Sequence, residues 1–283
     1  MRDLIDLTGV VDLHIHSAPD MRPRKLDDLE VARQAENAGM KAVLIKSHHG
    51  STAERAAIAS SLNQKARVFG ALALNAPVGG LNPAAVEIAL AMGARQIWMP
   101  TISAAHWIEA HGGKGSTGAG QGIWIVDERG GLLPAVYEIL GLIARADVIL
   151  GTGHLSIPET LRMVPAARAA GIQRILVTHP ELVHIEMPVA IQQELRDQGA
   201  FFERCYLNTL PGHKCLSMTE LAGQIRAVGI ESTIISTDLG QAHNPCPVEG
   251  FRQYITDLLR EGFTPVDLDR MARKNPSWLL GID

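Results

Sequence analysis

Apolar runs that suit β-strands alternate with helical patterns along almost the whole chain of 283 residues. Strict alternation of strands and helices predicts a parallel sheet with helical crossovers, and eight such units are the number that closes a (β/α)8 barrel. The predicted strands are Val11–His16, Ala42–His48, Arg67–Asn75, Arg95–Thr101, Val148–His154, Arg174–His179, Phe201–Leu207 and Thr233–Asp238. The predicted helices lie near 26–38, 52–65, 83–92, 133–145, 158–170, 188–198 and 217–228, with two or three more after the eighth strand.

The starts of several helices are marked independently of the apolar pattern. Ser51-x-x-Glu54, Ser156-x-x-Glu159 and Ser217-x-x-Glu220 have the spacing of capping boxes, in which two side chains satisfy unpaired backbone N–H groups reciprocally. Asn82-Pro83 fits an N-cap followed by proline at the first helical position. These signals support the boundaries drawn from periodicity alone.

One segment interrupts the alternation. His106–Gly131 is rich in glycine and then continues into an Ile-Trp-Ile-Val run and Asp127-Glu128-Arg129-Gly130-Gly131, which predicts a hairpin. Loops of this length are usually functional or disordered. The chain shows no repeat and no linker, so we expect one domain, 1–283: a single α/β (β/α)8 TIM barrel with a glycine-rich loop and hairpin inserted after strand 4 and extra C-terminal helices.

Composition excludes several classes of protein. Hydrophobic residues make up 46% of the chain and charged residues 20%, so a large core can form. The net charge is -4, the acidic and basic residues are interspersed, and no basic stripe suggests a nucleic-acid partner. No apolar run reaches the ~18 residues of a membrane span. Acids near the start, Asp3 and Asp6, do not fit a signal peptide, and three cysteines do not form a disulfide framework. We therefore expect a cytoplasmic protein with no membrane or nucleic-acid partner.

The first strand ends in a His-x-His pair, His14 and His16. Residues i and i+2 of a strand project to the same face, so both imidazoles can point into the mouth of a barrel, where active sites of this fold are built. An isolated pair of this kind is more often an ordinary polar strand end than a metal site.

Other predicted strands end in the same chemistry. His154 closes the fifth strand, His179 the sixth and Asp238 the eighth. The carboxyl ends of parallel strands lie at one end of a barrel, so these side chains should converge with His14 and His16. Neutral imidazoles and a carboxylate are ligands that suit zinc and related divalent ions.

This ligand pattern, in this strand order and over nearly the whole chain, resembles that of the amidohydrolase superfamily of metal-dependent hydrolases. Segments around Asp12–Asp20, Thr152–Ser156, Val177–Pro180 and Ser236–Gln241 resemble, more narrowly, an uncharacterised amidohydrolase-related family. The resemblance implies that His14, His16 and Asp238 hold one metal ion and that His154 and His179 hold a second, or that His179 contacts substrate. It also implies that Asp238 takes a proton from the attacking water.

The sequence departs from the superfamily at one position. Two-metal members usually bridge their ions with a carboxylated lysine on the fourth strand, and that strand here reads Ile97-Trp98-Met99-Pro100-Thr101. The nearest substitute is Lys46, near the end of the second strand. An ammonium beside a dication is repelled, so Lys46 is carboxylated, neutral through a depressed pKa, aimed at substrate, or directed to solvent. The number of metal ions stays open at this point.

Further candidates lie in loops at the same end of the predicted barrel. Arg22 and Arg24 follow the first strand and suit a substrate carboxylate or phosphate. His48 shares a strand face with Lys46, and His213 and His243 fall in loops of the seventh and eighth units. We interpret these five as substrate-binding residues, and Asp238, His179 and Lys46 as catalytic. Glu203 and Cys205 end the seventh strand on a common face and are weaker candidates.

The leading hypothesis is a metal-dependent hydrolase in which water activated by one or two divalent ions attacks a carbonyl C–N or C–O bond of a small molecule, such as a cyclic amide, an amide or a lactone. We expect zinc first, with manganese, iron or nickel as alternatives, and a homo-oligomer. The alternatives are a phosphoesterase of the polymerase-and-histidinol-phosphatase type and a metal-dependent decarboxylase on the same scaffold. A non-catalytic metal-binding barrel is a further possibility, because fold alone decides none of these.

Overall fold

The computed structural model describes residues 5–61, 65–113, 120, 122–213 and 215–282. Its strands pair in parallel and in chain order, β1 to β3 in one sheet and β4 to β9 in a second. The strands are β1 Val11–His16, β2 Ala42–Lys46, β3 Arg67–Phe69, β4 Ala71–Ala73, β5 Gln96–Trp98, β6 Ile149–Gly151, β7 Ile175–Val177, β8 Phe201–Cys205 and β9 Thr233–Ser236. This is a parallel α/β fold, as the alternation predicts.

Helices follow the strands, as a parallel sheet requires. The α-helices are α1 Asp28–Asn37, α2 Ala53–Ser61, α3 Pro83–Ala91, α4 Ala105–Ala110, α5 Pro134–Ala146, α6 Ile157–Ala169, α7 Val189–Asp197, α8 Met218–Val228, α9 Pro247–Arg260, α10 Pro265–Asp269 and α11 Asn275–Leu280. Ser156 and Ser217 form the capping boxes expected from the sequence, and Asn82 caps α3. Ser51 bonds to the Glu54 side chain, and the helix begins two residues later, at Ala53.

The predicted third strand is divided into β3 and β4 at Gly70. The N-terminus of α2 lies against this residue, and a Cβ there would overlap the backbone of Thr52 and Ala53. Thr52 replaces the missing ladder contacts, because its N–H donates to the Ala71 carbonyl at 3.0 Å and its Oγ1 accepts from the Ala71 N–H at 2.8 Å. Glycine is required here by the close approach of two backbones.

Backbone hydrogen bonds also join the two outer strands. The His16 N–H donates to the Leu239 carbonyl, and the Asp238 N–H donates to the His14 carbonyl, both at 2.8 Å. The buried Asp12 carboxylate adds to this contact by accepting from the Thr237 hydroxyl at 2.6 Å. Burial raises the pKa of Asp12 to about 7, against the opposing effect of its hydrogen bonds.

The sheet packs on both faces. Alternate strand residues form an inner cluster with the end of α11; it consists of Val11, Leu13, Ala42, Leu44, Phe69, Ala71, Ala73, Trp98, Ile149, Leu176, Ile234, Leu279, Leu280 and Ile282. The intervening residues pack in two clusters against the surrounding helices. Because apolar side chains fill the interior below the strand ends, polar groups collect at the carboxyl-terminal end.

The segment between β5 and α5 differs from the prediction in detail. It contains the short helix α4, and the expected hairpin is represented by one antiparallel bridge between Val126 and Leu132. Residues 114–119 and 121 of the predicted glycine-rich loop lie outside the described residues. The extra C-terminal helices are present as α9, α10 and α11, with a π-helical turn at Arg270–Lys274. Within the described ranges, no helix is long and apolar enough to cross a membrane.

Candidate functional site

His14 lies at a β-bulge in β1. The pairing of β1 with β2 shifts register between Asp12 and Ile15, and a bulge of this kind changes which side chains face inward. Leu13 therefore packs in the inner cluster while His14 also turns toward the strand ends. The His14 ring is fully buried, and its Nδ1 lies 3.1 Å from Oε2 of Glu203 on β8. A carboxylate on one ring nitrogen orients the other nitrogen for a metal.

Three ligand atoms converge on the opposite edge of that ring. Oδ1 of Asp238 lies 3.1 Å from Nε2 of His14 and 3.1 Å from Nε2 of His16. Ligands bonded to one ion at about 2.0–2.2 Å are separated by distances of this order. We call His14, His16 and Asp238 the paired ligand group, because each has polar side-chain partners.

Asp238 is the acid of this group. It lies two residues beyond β9, with φ of 53°, in the left-handed region that non-glycine residues seldom adopt. Burial acts to raise the pKa of Asp238, but the surrounding His14, His16 and Lys46 outweigh it and hold the pKa well below its usual range. The side chain is therefore a carboxylate, which can bind a cation or accept a proton.

Lys46 is buried at the centre of the site, with 1% of its surface exposed. Its Nζ lies 2.9 Å from Nε2 of His14 and 4.7 Å from the ring centroid of Trp98 on β5. Burial lowers the pKa of the Lys46 ammonium, although Asp238 and Glu203 act in the opposite direction. The position excludes the solvent-directed alternative and leaves Lys46 beside the nitrogen that a metal would use.

His154 and His179 differ from the paired group in their surroundings. Both lie two or three residues past their strands, are buried, and have ring centroids 5.0 Å apart. Among the described residues, the Nδ1 atom of each is buried without a hydrogen-bond partner. Burial lowers the pKa of His154 well below the ordinary value and that of His179 to about 4. We call these two neutral imidazoles the unpaired ligand group.

His48 connects the two groups. Its ring centroid lies 4.9 Å from that of His16 and 6.5 Å from that of His154. Its Nδ1 lies 3.0 Å from Oγ1 of Thr101, and Asn75 donates to the same hydroxyl at 2.7 Å. Among the described residues, five imidazoles thus form a closed series of neighbouring rings at the carboxyl-terminal end of the strands, from His14 through His16, His48, His154 and His179 back to His14.

Arg24 is held at the edge of the paired group. Asp20 accepts from its Nε at 3.0 Å and from its Nη2 at 2.9 Å, and the same Nη2 lies 3.3 Å from Nδ1 of His16. The loop after β9 closes over this place, since Gly240 lies so near that a Cβ would overlap the His16 carbonyl. Arg24 is therefore positioned by Asp20 toward His16.

A cavity of about 930 Å³ opens above these residues. All of the predicted substrate-binding residues, Arg22, Arg24, His48, His213 and His243, line it. His213 and His243 come from different loops and face each other, with their Nε2 atoms 3.3 Å apart. The cavity also has an apolar wall around Trp107, whose ring centroid lies 4.5 Å from that of His154. The predicted site residues therefore meet at one cavity, with His14 buried beneath it.

Cys205 lies near the site but on the other side of His14. Its Sγ is 4.0 Å from Nδ1 of His14, whereas Asp238 approaches Nε2. Sγ, an imidazole nitrogen of His14 and a carboxylate oxygen of Asp238 lie within 4.8 Å of one another, a spacing compatible with metal binding. Burial raises the pKa of the thiol well above its ordinary value. Cys205 therefore lies on the Glu203 edge of His14, away from the edge that Asp238 approaches.

The sequence reasoning missed the groups that support the predicted ligands. Glu203 was a weak candidate without a stated role, and Asp20, Asn75 and Thr101 were not singled out. A buried charge at the end of a strand was the available signal for Glu203. The others act across distances of 26 residues or more, or from within a loop, and their partners follow only from the packing.

Comparison with known proteins bears on the fold. Solved structures with the same fold include an amidohydrolase from Pseudomonas aeruginosa, with a TM-score of 0.66, 13% identity, and coverage of 96% of this chain and 95% of that one. A beta-aspartyl dipeptidase from Fervidobacterium islandicum AW-1 has a TM-score of 0.64 and 14% identity, with coverage of 96% of this chain and 72% of that one. A 2,6-dihydroxybenzoate decarboxylase from Rhizobium has a TM-score of 0.55 and 14% identity, with coverage of 97% of this chain and 99% of that one. The chain thus shares its parallel α/β fold with these proteins, which confirms the resemblance at the level of fold.

A family model places the chain more closely. Residues 9–203 match the model of a family of unknown function, DUF6282, and the chain belongs to that family. The matched region includes His14, His16, Lys46, His154 and His179, whereas Asp238 lies beyond it. No functionally curated protein matches the sequence significantly.

Proposed function

We propose that the protein is a metal-dependent hydrolase that cleaves a carbonyl C–N or C–O bond of a small molecule, such as an amide, a cyclic amide or a lactone. The observation that carries the proposal is the convergence of Nε2 of His14, Nε2 of His16 and Oδ1 of Asp238, with Oδ1 3.1 Å from each nitrogen. Shared fold with hydrolases such as the Pseudomonas amidohydrolase supports the class of chemistry.

The residues present fit one divalent ion and offer ligands for a second. His14, His16 and Asp238 would hold the first, with Glu203 orienting His14 from behind. His154 and His179 would contribute to a second, since a buried imidazole nitrogen without a partner is unfavourable unless it is satisfied. Two or more imidazoles with a carboxylate favour zinc, and manganese, iron and nickel accept the same ligands.

When bound, a divalent ion at this place supplies Lewis acidity and lowers the pKa of water from ~15.7 towards ~7. Asp238 provides the proton acceptor, since its carboxylate stays ionised and opens on the cavity. Lys46 provides a buried donor that can stabilise negative charge developing on a carbonyl oxygen, an effect that is strong where water is excluded. His179 also lines the cavity and suits a contact to the substrate.

The surrounding fold supports this assignment. We interpret the hydrogen bonds from His16 to Leu239 and from Asp238 to His14 as the seam that closes an eight-stranded barrel. In a closed barrel the ligands from β1 and from the loop after β9 are neighbours, and active sites of barrel enzymes form at this end of the strands.

A metal-dependent decarboxylase on the same scaffold is the second candidate. The structural similarity to the Rhizobium decarboxylase supports this candidate, since that protein shares the fold. A phosphoesterase of the polymerase-and-histidinol-phosphatase type is less favoured, because proteins of that type have a seven-stranded barrel, whereas the eighth predicted strand is present here as β9 and leads into Asp238. Product analysis separates the candidates, since only a decarboxylase releases carbon dioxide.

The test is elemental analysis of the untagged protein followed by a substrate panel. We expect one to two equivalents of a divalent metal per chain, as in related catalytic sites, and hydrolysis of lactones or amides that stops on chelation and returns with metal. Turnover of an aryl phosphate with no lactone or amide cleavage would favour the phosphoesterase. No metal after reconstitution, together with no turnover, would overturn the hydrolase proposal.

A further inference from the structure

The cavity has an apolar side. Ile102 and Trp107 follow β5, and Leu182 and Val183 follow β7, and all four line the cavity. Val183 is 49% exposed although it is a large aliphatic residue. An apolar wall that opens on a polar site is typical of pockets that hold the hydrocarbon part of a ligand.

Another part of the cavity lining is polar and is built from three separate loops. Arg22 follows β1, His213 follows β8, and His243 follows β9. The two imidazole rings are nearly parallel, at 9°, with Nε2 atoms 3.3 Å apart. Within the described part of the chain, the Arg22 guanidinium is exposed and has no acidic side chain within 4.0 Å.

The charges lining the cavity leave this polar part of the lining positive. Among the described lining residues, Arg22, Arg24 and Lys46 carry formal positive charge and Asp238 carries negative charge. Oδ2 of Asp20 lies 2.9 Å from Nη2 of Arg24 and balances its charge. The negative charge of Asp238 acts on Lys46. Among these charged lining residues, Arg22 is therefore the one without an opposite charge beside it. A guanidinium binds a carboxylate through two parallel hydrogen bonds.

Both parts of the lining belong to the cavity that contains the proposed reaction centre. Asp238, Arg22, His213 and His243 all line this cavity. The ring of Trp107 contacts His154 of the unpaired ligand group. A substrate whose carbonyl lies at Asp238 therefore shares one cavity with the apolar wall and with Arg22 and the histidine pair.

We propose that the substrate is a small ring-bearing carboxylate, with its ring against Ile102, Trp107, Leu182 and Val183 and its carboxylate at Arg22, His213 and His243. This substrate class rests on the proposed hydrolase function, because that function places the reacting carbonyl at Asp238. A lactone or cyclic amide fused to an aromatic ring and carrying a carboxylate satisfies both parts of the cavity lining.

The test compares matched lactones on the metal-loaded protein. Phthalide-5-carboxylate has the fused aromatic ring and the carboxylate, phthalide has the aromatic ring alone, and γ-butyrolactone has neither of these two groups. We expect kcat/KM for phthalide-5-carboxylate to exceed that for phthalide by about ten- to a hundredfold, the range for hydrogen bonds to a charged group. Arg22→Gln should reduce this ratio towards one, and Trp107→Ala should reduce the ratio of phthalide to γ-butyrolactone.

Arg33→Gln, at an exposed position on α1, is the matched control and should leave both ratios unchanged. Ratios near one in the unmodified protein, or a carboxylate preference that survives Arg22→Gln, would overturn the substrate class while leaving the hydrolase function intact. If no lactone is cleaved, calorimetric binding of terephthalate decides the point without turnover. Binding that weakens in Arg22→Gln supports the ligand class, and equal or absent binding in both proteins refutes it.

Discussion

The paired ligand group and the unpaired ligand group occupy the same end of the sheet but differ in their support. His14 is bonded to Glu203 and approached by Lys46 and Asp238, and His16 lies between Asp238 and Arg24. His154 and His179 have buried Nδ1 atoms with no partner among the described residues. A fixed set of ligands favours tight metal binding, whereas an unsatisfied pair is suited to a second ion or to substrate.

The largest effect should come from removing one group or the other. We expect His14→Ala with His16→Ala to abolish metal binding, and His154→Ala with His179→Ala to retain about one equivalent, because three ligands suffice for a catalytic ion. Elemental analysis of dialysed protein measures both. His106→Ala, a histidine that does not line the cavity, is the control. Equal metal loss in the two double variants would show that the groups share a single ion.

A second test concerns Lys46, the cation beside the paired ligand group. Lys46→Met should raise divalent-metal affinity about tenfold or more, since unit charges 4 Å apart interact by about 4 kcal/mol near a protein surface. The same change should lower kcat by about 10²- to 10³-fold if Lys46 stabilises a developing oxyanion. Competitive chelator titration and steady-state kinetics measure the two effects. Weaker metal binding in Lys46→Met would instead indicate a carboxylated lysine, which intact-mass measurement at neutral pH would reveal.

The third test concerns Glu203, which orients His14, and its expected effect on metal affinity is smaller. Glu203→Gln removes the carboxylate that orients Nδ1 of His14 at 3.1 Å. We expect metal affinity at the paired group to fall about ten- to a hundredfold, the usual effect of losing such a partner. Glu194→Gln, exposed on α7, should leave the affinity unchanged. An unaltered affinity in Glu203→Gln would mean that packing alone orients His14.

The smallest effect is expected at the opposite ends of the strands that precede His154 and His179. Arg174 donates to Asp147 before β6 and β7, at 2.9 Å, and this bond lowers the pKa of Asp147. A carboxyl group whose pKa is lower in the folded state than in the unfolded state stabilises the fold at pH values above its unfolded-state pKa. This stability is lost as the pH falls through the folded-state pKa. With the Asp147 side chain 63% exposed, we expect Asp147→Asn to cost about 0.2–1 kcal/mol at pH 7.

Urea denaturation at pH 7 and near pH 3 measures that cost, which should shrink at the lower pH. Metal content and activity should be unchanged, since this end of the strands carries stability and the other end carries the site. Loss of metal in Asp147→Asn would contradict that division. Asparagine also tolerates the left-handed backbone of this position, at φ of 49°.

Much of the arrangement follows from local patterns in the sequence. Apolar periodicity and capping boxes are read from neighbouring residues, so the alternation of strands and helices and the starts of α6 and α8 are correct, whereas α4 and the division between β3 and β4 are not predicted. The ends of the strands are less well predicted. His154, His179 and Asp238 lie past the hydrogen-bonded ladder rather than on it, because the chain turns at Gly153, and at His179 and Asp238 themselves, where φ is positive.

The sequence by itself determined which polar residues lie together, because histidines and an acid at the ends of parallel strands must collect at one edge of a sheet. The tertiary structure alone decided how they face one another. The bulge in β1 turns both Leu13 and His14 inward, which strict alternation forbids. Glu203 reaches His14 across 189 residues, and Lys46 extends over Trp98. Such contacts depend on register and side-chain packing between distant strands, which no local pattern specifies.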